Sequence, residues 1–269
     1  MSFQLVDRIT SFRPGAGAIG QFEPPPMEGA LPLGLLVEAI GQLAGWVAMQ
    51  KSSFALRPVA AAAGLVTVHA LSEAGGPVDL EVETTGFRHG AVSYQGLATV
   101  GGEPVLNLER AVGPLLPMEE FDDAARMQEL FRQVRGDGLP ARPLVSPDDY
   151  RPTIALSEHL DDRIRASLHL PEASAIYADH FPRRPLYPAT LMLGAQIDET
   201  VARFTRDDGT PRQVREVRGV KVRAFSGPGE KLRLEVDRES EKDDGLAWFR
   251  ATTWKDDARV ASMRVGLER

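Results

Sequence analysis

The stretch DHFPRRPLYPATLMLGAQIDET, residues 179 to 200, combines one histidine, three prolines and an apolar run of helical length. Pro185 and Pro188 prevent a helix before them, and Pro188 presets the backbone for a helix that begins at Ala189. His180 is therefore expected on a loop that faces the free N–H groups of this helix start. Such a site can hold an oxygen atom that becomes negative during a reaction.

The composition narrows the class of protein. A chain of 269 residues can bury one large core or two smaller ones. It contains no cysteine, which excludes disulfides, thiolate nucleophiles and cysteine-based metal sites. The net charge of -7 argues against non-specific nucleic-acid binding, which requires a basic surface. No nucleic-acid partner is expected.

The apolar runs and the N-terminal segment indicate a location. We find no apolar run of the roughly 18 to 20 residues that a membrane span requires. The segment MSFQLVDRITSF lacks the basic and then apolar form of a signal peptide. A cytoplasmic protein without a membrane span is the expectation.

The chain contains an internal repeat. A second apolar helix, again preceded by prolines, is predicted within residues 24 to 50, PPPMEGALPLGLLVEAIGQLAGWVAMQ. An offset of 156 residues aligns it with the stretch around His180, and the aligned pairs are Pro26 with Pro182, Pro32 with Pro188, Leu35 with Leu191, Leu36 with Met192 and Ala39 with Ala195. LEVE from Leu80 and LEVD from Leu234 repeat at an offset of 154, so the register shifts by only two residues.

Each predicted helix follows a short strand region and precedes four further segments with strand patterns between turn signals. These segments are residues 64–71, 78–83, 91–100 and 104–112 in the first half, and 217–224, 231–237, 246–254 and 258–267 in the second. A single apolar helix among antiparallel strands is best buried when the sheet wraps around it. The predicted fold is α+β, with two antiparallel sheets, each wrapped around a central apolar helix and paired as an intrachain pseudo-dimer.

A connecting segment separates the two halves. Residues 118 to 135, MEEFDDAARMQELFRQVR, carry acids early and arginines late, with apolar residues at helical spacing. The segment GDGLPARP over residues 136 to 143 ends this amphipathic helix. The predicted domains are residues 1–117, a connecting helix and linker over 118–143, and residues 144–269.

One motif resembles a known family. HFPRRPLYPATLML from His180 resembles the HFPGxPxxPGxLxLE signature of the hotdog-fold 3-hydroxyacyl-acyl carrier protein dehydratases. FQLVDRI from Phe3, GPVDLEVE from Gly76 and SGPGEKLRLEV from Ser226 support the resemblance in the same order along the chain. It implies a tandem double-hotdog chain that removes water from 3-hydroxyacyl thioesters.

In that family a loop histidine from one hotdog meets an acid on the helix of the other. The acid follows the histidine by fourteen residues, so the second half has His180 but carries Gly194 at the acid position. The first half has the acid, Glu38, but carries Pro24 at the histidine position. The resemblance therefore implies one composite active site, formed by His180 and Glu38, and one inactive site.

The resemblance also implies individual roles. His180 would take the proton beside the thioester, and Glu38 would protonate the leaving hydroxyl. The backbone N–H of Ala189 would stabilise the enolate oxygen, and the carbonyl of Leu186 would orient the imidazole. Gln42, one turn after Glu38, is the candidate partner of that carboxylate and is grouped with the oxyanion and substrate contacts.

Two arginines in the motif suggest a partner. Arg183, which stands where the family has glycine, and Arg184 are candidates for contacts with phosphopantetheine or an acidic carrier protein. The acyl group would be carried on acyl carrier protein or coenzyme A, and no further cofactor is expected. No metal is expected either, because metal-ligand spacing is absent around the other histidines, which are His69, His89, His159 and His169. The chain is expected to be a monomeric pseudo-dimer or a higher homo-oligomer.

Two other functions stay open. A hotdog thioesterase could use Glu38 to activate a water that attacks the thioester, and it would not need His180. A non-catalytic acyl-thioester-binding or assembly protein could keep the fold after losing turnover. Pro24 and Gly194 would favour that function if the halves did not pair as the family's subunits do.

Overall fold

The structure is a computed structural model that describes residues 3–24, 31–69, 76–140, 151–206, 208–239 and 245–269. Its helices are α1 Leu33–Lys51, α2 Ala124–Arg135 and α3 Ala189–Arg203. The described strands are β1 Arg8–Arg13, β2 Gly17–Phe22, β3 Leu56–Pro58, β4 Ala62–Val68, β5 Val78–Arg88, β6 Ala91–Val100, β7 Glu103–Pro117, β8 Thr153–Leu160, β9 Arg163–His169, β10 Val214–Val222, β11 Lys231–Arg238, β12 Leu246–Lys255 and β13 Ala258–Glu268.

The two apolar helices begin directly after prolines. Pro32 precedes α1 and Pro188 precedes α3, and neither helix has a side-chain cap at its start. Proline fixes φ near the helical value while its own extended ψ keeps the residue outside the helix. The predicted start of α3 at Ala189 is confirmed.

α1 is buried on nearly all sides because it packs against strands of the first half and against α3. Within the described residues it is the one helix that is long and apolar enough to cross a membrane by length and composition. The expectation that no apolar run is long enough for a membrane span does not hold for α1 by length and composition alone. However, 78% of its apolar window is buried inside the protein, as in the core helix of a folded domain.

The strands form one continuous antiparallel sheet. The first half contributes the order β1-β2-β5-β6-β7-β4, the second half contributes β10-β13-β12-β11-β9-β8, and β3 pairs with β7 beside this path. The halves join where β4 pairs with β10, for example at Val66 opposite Val217. Outward from this junction, equivalent strands follow in the same order on both sides. The predicted double hotdog is confirmed, and its two sheets are joined edge to edge.

The predicted strand segments correspond to β4–β7 and β10–β13, and the bounds of β6 match to the residue. β7 runs five residues further than predicted, to Pro117. Residues 70 and 71 of the first predicted segment, and Pro26 of the repeat alignment, lie outside the described residues.

The predicted connecting helix is split in two. A short 3-10 turn covers Met118–Glu120, and α2 begins at Ala124 because the side chain of Asp123 caps it by accepting the Arg126 N–H at 3.0 Å. α2 packs on the first half, where Phe131 stacks on Trp46 with ring centres 5.8 Å apart. Residues 141–143 of the predicted linker lie outside the described residues, and the division into domains stays a prediction.

α1 and α3 cross at two glycines. A Cβ atom at Gly34 would lie 2.7 Å from the carbonyl oxygen of Thr190, and one at Gly194 would lie 3.1 Å from the Cα of Gly34. The helices can approach this closely only because both positions lack a side chain. Position 194 is the repeat equivalent of Glu38. In the second half, α1 therefore occupies the space that an acidic side chain at this position would need.

Candidate active site

Glu38 lies on α1 and is only 9% exposed. Its Oε1 accepts a hydrogen bond of 3.0 Å from Nε2 of Gln42, one turn further along the helix. Its Oε2 accepts a hydrogen bond of 2.6 Å from the hydroxyl of Thr190 on α3. The close crossing of the helices thus lets a residue of the second half hold the carboxylate of the first.

His180 lies on the loop before α3, and a strained backbone positions it. Its N–H donates to the carbonyl of Ile176 at 2.7 Å. The next residue, Phe181, has φ 66, a left-handed conformation that is rare for an aromatic residue and is often found at functional sites. Nδ1 of His180 lies 2.9 Å from the carbonyl oxygen of Leu186, as the resemblance implies. A carbonyl can only accept, so Nδ1 carries the hydrogen and Nε2 has the free lone pair.

The structure brings His180 and Glu38 together. Nε2 of His180 lies 4.0 Å from Oε1 of Glu38, and each side chain is 12% exposed. Burial lowers the pKa of His180 below its ordinary value of 6.5, while the charge of Glu38 and the Leu186 carbonyl act in the opposite direction. The buried imidazole is therefore neutral at neutral pH and can accept a proton. The catalytic roles of both residues stay predictions.

The segment at Phe3 links the two side chains. Its N–H donates to Oδ2 of Asp179 at 2.7 Å, and its carbonyl accepts from Nε2 of Gln42 at 3.0 Å. Its ring meets the ring of His180 edge to face, with centres 5.9 Å apart. Oε1 of Gln42 accepts in addition from the N–H of Leu5 at 2.8 Å. The amide of Gln42 is thus occupied by protein groups, so Gln42 supports Glu38 and has no donor left for an oxyanion.

Asp179 is held in turn by the connecting segment. Arg126 of α2 donates to Oδ1 of Asp179 at 3.2 Å and to both oxygens of the buried Asp122 at 2.8 and 2.9 Å. Asp179 stands beside His180 in the sequence, yet neither it nor Arg126 carries a motif that would have marked it. The structure adds both to the support of the site.

One cavity opens beside the two side chains. It is mostly apolar and has a volume of about 180 Å³. It follows α1 past Gly34, Gly41 and Gly45, which lack side chains, and it reaches Ala189 at the start of α3. The amides of a first helical turn have no partner within the helix. Ala189 thus lies at the cavity wall, as a donor to an oxyanion must, and its oxyanion role stays a prediction.

Arg183 and Arg184 lie outside the described wall of the cavity, at the segment before α2. Arg183 pairs with Asp123 at 3.1 Å and Arg184 with Glu120 at 3.4 Å, and both side chains are about half exposed. Exposed ion pairs contribute little to stability, so an incoming phosphate or carboxylate can replace these acids. Their contact with a carrier stays a prediction.

Other polar side chains line the cavity without having been expected from the sequence, among them Thr190, Tyr94 and Arg57. Thr190 stands within the motif, but its contact with Glu38 depends on the helix crossing. Tyr94 on β6 places its hydroxyl beside Gly41, and burial followed by the charge of Glu38 raises its pKa well above the ordinary value. Arg57 on β3 also lines the cavity. Among the described residues, no group of three or more histidines and carboxylates gathers as a metal site.

The fold and the paired side chains define a double-hotdog protein. Residues 156–264, which include His180, match the model of the ApeI-like dehydratase family. The chain therefore has the hotdog fold, which similar solved structures named as a dehydratase and as a thioesterase also have. A comparison with curated proteins finds no match.

Solved structures similar to the chain include enzymes of both kinds. A MaoC-like dehydratase is 14% identical with a TM-score of 0.59, covering 89% of this chain and 84% of its own. An acyl-ACP thioesterase from Bacteroides thetaiotaomicron is 11% identical with a TM-score of 0.57, covering 94% and 98%. An acyl-CoA thioesterase II from Mycobacterium marinum is 12% identical with a TM-score of 0.55, covering 93% of each chain. At these identities the similarity shows the fold alone.

Proposed function

We propose that this chain is a dehydratase, and in reverse a hydratase, of 3-hydroxyacyl thioesters with one composite active site. The observation that carries the proposal is the pair of His180 and Glu38, which face each other at 4.0 Å in an apolar cavity and come from opposite repeats. Elimination of water needs a base at C2 and a proton donor at the hydroxyl on C3. A neutral imidazole and a carboxyl group on two sides of one cavity supply them.

The reaction follows from these positions. Nε2 of His180 takes the C2 proton, and the electron pair moves toward the thioester oxygen, which the N–H of Ala189 and the start of α3 stabilise. The C2=C3 double bond then forms as the C3–O bond breaks, and the leaving hydroxyl takes a proton from the carboxyl group of Glu38. Water and the 2-enoyl thioester leave. The imidazolium returns its proton to the Glu38 carboxylate through a water molecule, because 4.0 Å is too long for a direct hydrogen bond, and the pair regains its starting state.

The cycle starts with His180 as a neutral imidazole, and the pair passes one exchangeable proton in each turnover. Leu186 supports this form because its carbonyl keeps the hydrogen of His180 on Nδ1. Gln42 and Thr190 fix the carboxyl group against the cavity. Both catalytic groups lie within the one chain, so the site is complete in a monomer.

The substrate is proposed to arrive on the phosphopantetheine arm of acyl carrier protein or coenzyme A. Similar folds include thioesterases named for each of these carriers. Arg183 and Arg184 are the proposed contacts for the acidic carrier or the phosphate, since their present partners are exposed acids. The chemistry needs neither a metal nor another cofactor.

A thioesterase is the second candidate, and a specific arrangement favours it. The carboxylate of Glu38, the hydroxyl of Thr190 and the amide of Gln42 form one hydrogen-bonded group at the cavity wall. A water molecule beside this group can be activated by Glu38 to attack the thioester carbon. His180 has no necessary role in that reaction.

The test mixes the protein with a short 2-enoyl thioester and follows the loss of conjugation together with the release of free thiol. We expect hydration without thiol release, and His180→Ala and Glu38→Gln should each lower the rate by about 100-fold or more. His159→Ala, which changes an exposed histidine on β8, and Glu81→Gln, which changes an exposed glutamate on β5, serve as matched controls.

Thiol release that survives His180→Ala but disappears in Glu38→Gln identifies the thioesterase and contradicts the dehydratase. Tight binding of the thioester without either reaction identifies the non-catalytic acyl-binding protein. Hydration that is unchanged in His180→Ala contradicts the mechanism.

A further inference from the structure

The proposed elimination leaves one charged group of the cavity unused. Arg57 is the single lysine or arginine among the described residues that line it. Its guanidinium lies over the ring of Phe181, 5.2 Å from the ring centre. That ring contacts the imidazole of His180, with centres 4.1 Å apart. One aromatic ring therefore separates this cation from the proposed base.

The guanidinium of Arg57 finds only weak acceptors in the described part of the chain. Its Nη1 lies 3.1 Å from Sδ of Met49 and 3.5 Å from Sδ of Met127. Thioether sulfurs are weak acceptors, and an arginine carries five N–H donors. No oxygen atom of the described residues accepts a hydrogen bond from it. The cation is thus able to form more hydrogen bonds than the protein supplies.

The neighbouring acids do not meet this need. Asp122 accepts from Arg126 with both oxygens, and Glu38 accepts from Gln42 and Thr190. Burial lowers the pKa of Arg57, and the charges of Asp122 and Glu38 act from a distance in the opposite direction. An arginine stays charged in such surroundings. The cavity therefore presents a positive charge that is not directly paired.

We propose that Arg57 binds a carboxylate on the acyl group of the substrate, so that the site selects thioesters with an acidic acyl tail. The proposal deepens the proposed function and rests on it for the thioester part of the ligand. An alkyl chain would fill the cavity but would desolvate the guanidinium without pairing it. A carboxylate can accept two of its N–H groups in parallel.

One other side chain of the cavity agrees with an oxygen-bearing acyl group. The hydroxyl of Tyr94 has no acceptor among the described residues, and its raised pKa keeps it a neutral donor.

The phosphate of a phosphopantetheine arm lies at the far end of that arm from the sulfur. It is therefore out of reach of a cation that lies one ring from His180, where the thioester reacts.

The test measures binding without turnover. Pantetheine thioethers, which cannot be hydrolysed or hydrated, are prepared in matched chain lengths with either a terminal carboxylate or a terminal methyl group, and their dissociation constants are measured by calorimetry. We expect the carboxylated series to bind about 10- to 100-fold more tightly at its best length, the range of a hydrogen bond to a charged group.

Arg57→Met should abolish this preference, because methionine removes the charge and the N–H donors while it keeps an unbranched side chain that packs beside Met49 and Met127. Arg57→Gln, which keeps polar donors but loses the charge, should also abolish it and serves if the methionine variant does not fold. Arg233→Met is the matched control, since that arginine lies over Trp254, 5.4 Å from the ring centre, and is half exposed away from the cavity. It should keep the wild-type preference.

A wild-type protein that binds both series equally, or folded Arg57 variants that keep the preference, overturns the proposal. The readout does not depend on the reaction. A carboxylate preference that disappears in Arg57→Met supports the role of Arg57 even if no thioester is hydrated, and in that case only the proposed function fails.

Discussion

At the scale of single residues, the site places ionisable groups where water is scarce and holds each by named contacts. Each carboxylate oxygen of Glu38 accepts one hydrogen bond, and the Nδ1–H of His180 donates to the carbonyl of Leu186. A buried carboxylate without such partners would cost several kcal/mol. The support from Gln42 and Thr190 therefore explains how an acid can persist in an apolar helix.

The activity should depend on pH through His180. Burial disfavours the charged imidazolium and lowers the pKa of His180, so the base stays neutral until the pH falls below 6.5. We expect kcat/KM for dehydration of a 3-hydroxyacyl thioester, the direction in which neutral His180 is the base, to decline on the acid side only below that pH. A titration of the ring by NMR, assigned with His180→Gln, should show protonation below pH 6.5. A ring of His180 that protonates above pH 6.5 would contradict this prediction.

At the scale of elements, the crossing of α1 with α3 decides which of the two symmetric sites exists. Gly34 faces Thr190 and Gly194 at the crossing, and the contact there excludes a side chain from position 194. The same closeness lets the Thr190 hydroxyl reach Glu38. The lost acid of the second half is thus tied to the geometry of the retained site.

Gly194→Ala should damage both stability and activity. Its Cβ would lie 3.1 Å from the Cα of Gly34, which is backbone and cannot turn aside. Overpacking of this kind costs about 1–3 kcal/mol, and a wider crossing would weaken the contact between Thr190 and Glu38. Thermal unfolding and the hydration rate measure the two effects.

Gly86→Ala is the matched control for this prediction, because a Cβ at that strand position meets nothing within 4 Å. Gly194→Glu should not create a second active site, because the backbone of α1 at Gly34 leaves no space for the new side chain. A Gly194→Ala protein with wild-type stability and rate would show that the crossing has room to spare.

At the scale of the whole molecule, the two repeats share one sheet and one pair of packed helices. The pairing of β4 with β10 leaves neither of these two edges exposed, which removes a surface prone to aggregation. α2 packs on the first half and, through Arg126, holds the residue beside His180 in the second. The halves are therefore coupled by backbone, by helix packing and by the active site.

The two halves should unfold in a single transition. A continuous sheet and a shared helix interface mean that neither half can lose its core without exposing that of the other. Trp46 reports on the first half, and Trp248 and Trp254 report on the second. In variants that keep the reporters of one half only, fluorescence should give the same denaturant midpoint as circular dichroism. Two separated midpoints would show that the repeats are independent.

Local pattern in the sequence was sufficient for much of the fold. Helix starts after Pro32 and Pro188, the alternation in β6 and the repeat that relates the halves are all visible without coordinates. The reason is that dihedral restriction and the period of apolar residues act over a few neighbouring positions. The complementary losses at Pro24 and Gly194 could also be found in the sequence, because they depend only on the alignment of two repeats.

Tertiary structure alone decided what surrounds the site. Phe3 joins Gln42 to Asp179, Thr190 reaches Glu38 across 152 positions, and Arg57 enters the cavity from a strand of three residues. Such contacts depend on the distance between helices and on the register of a sheet. These contacts change when the helices move by a few tenths of an ångström at Gly194, and no pattern along the chain predicts that distance. The sequence determined which residues could react, and the packing of α1 against α3 determined that only one site can.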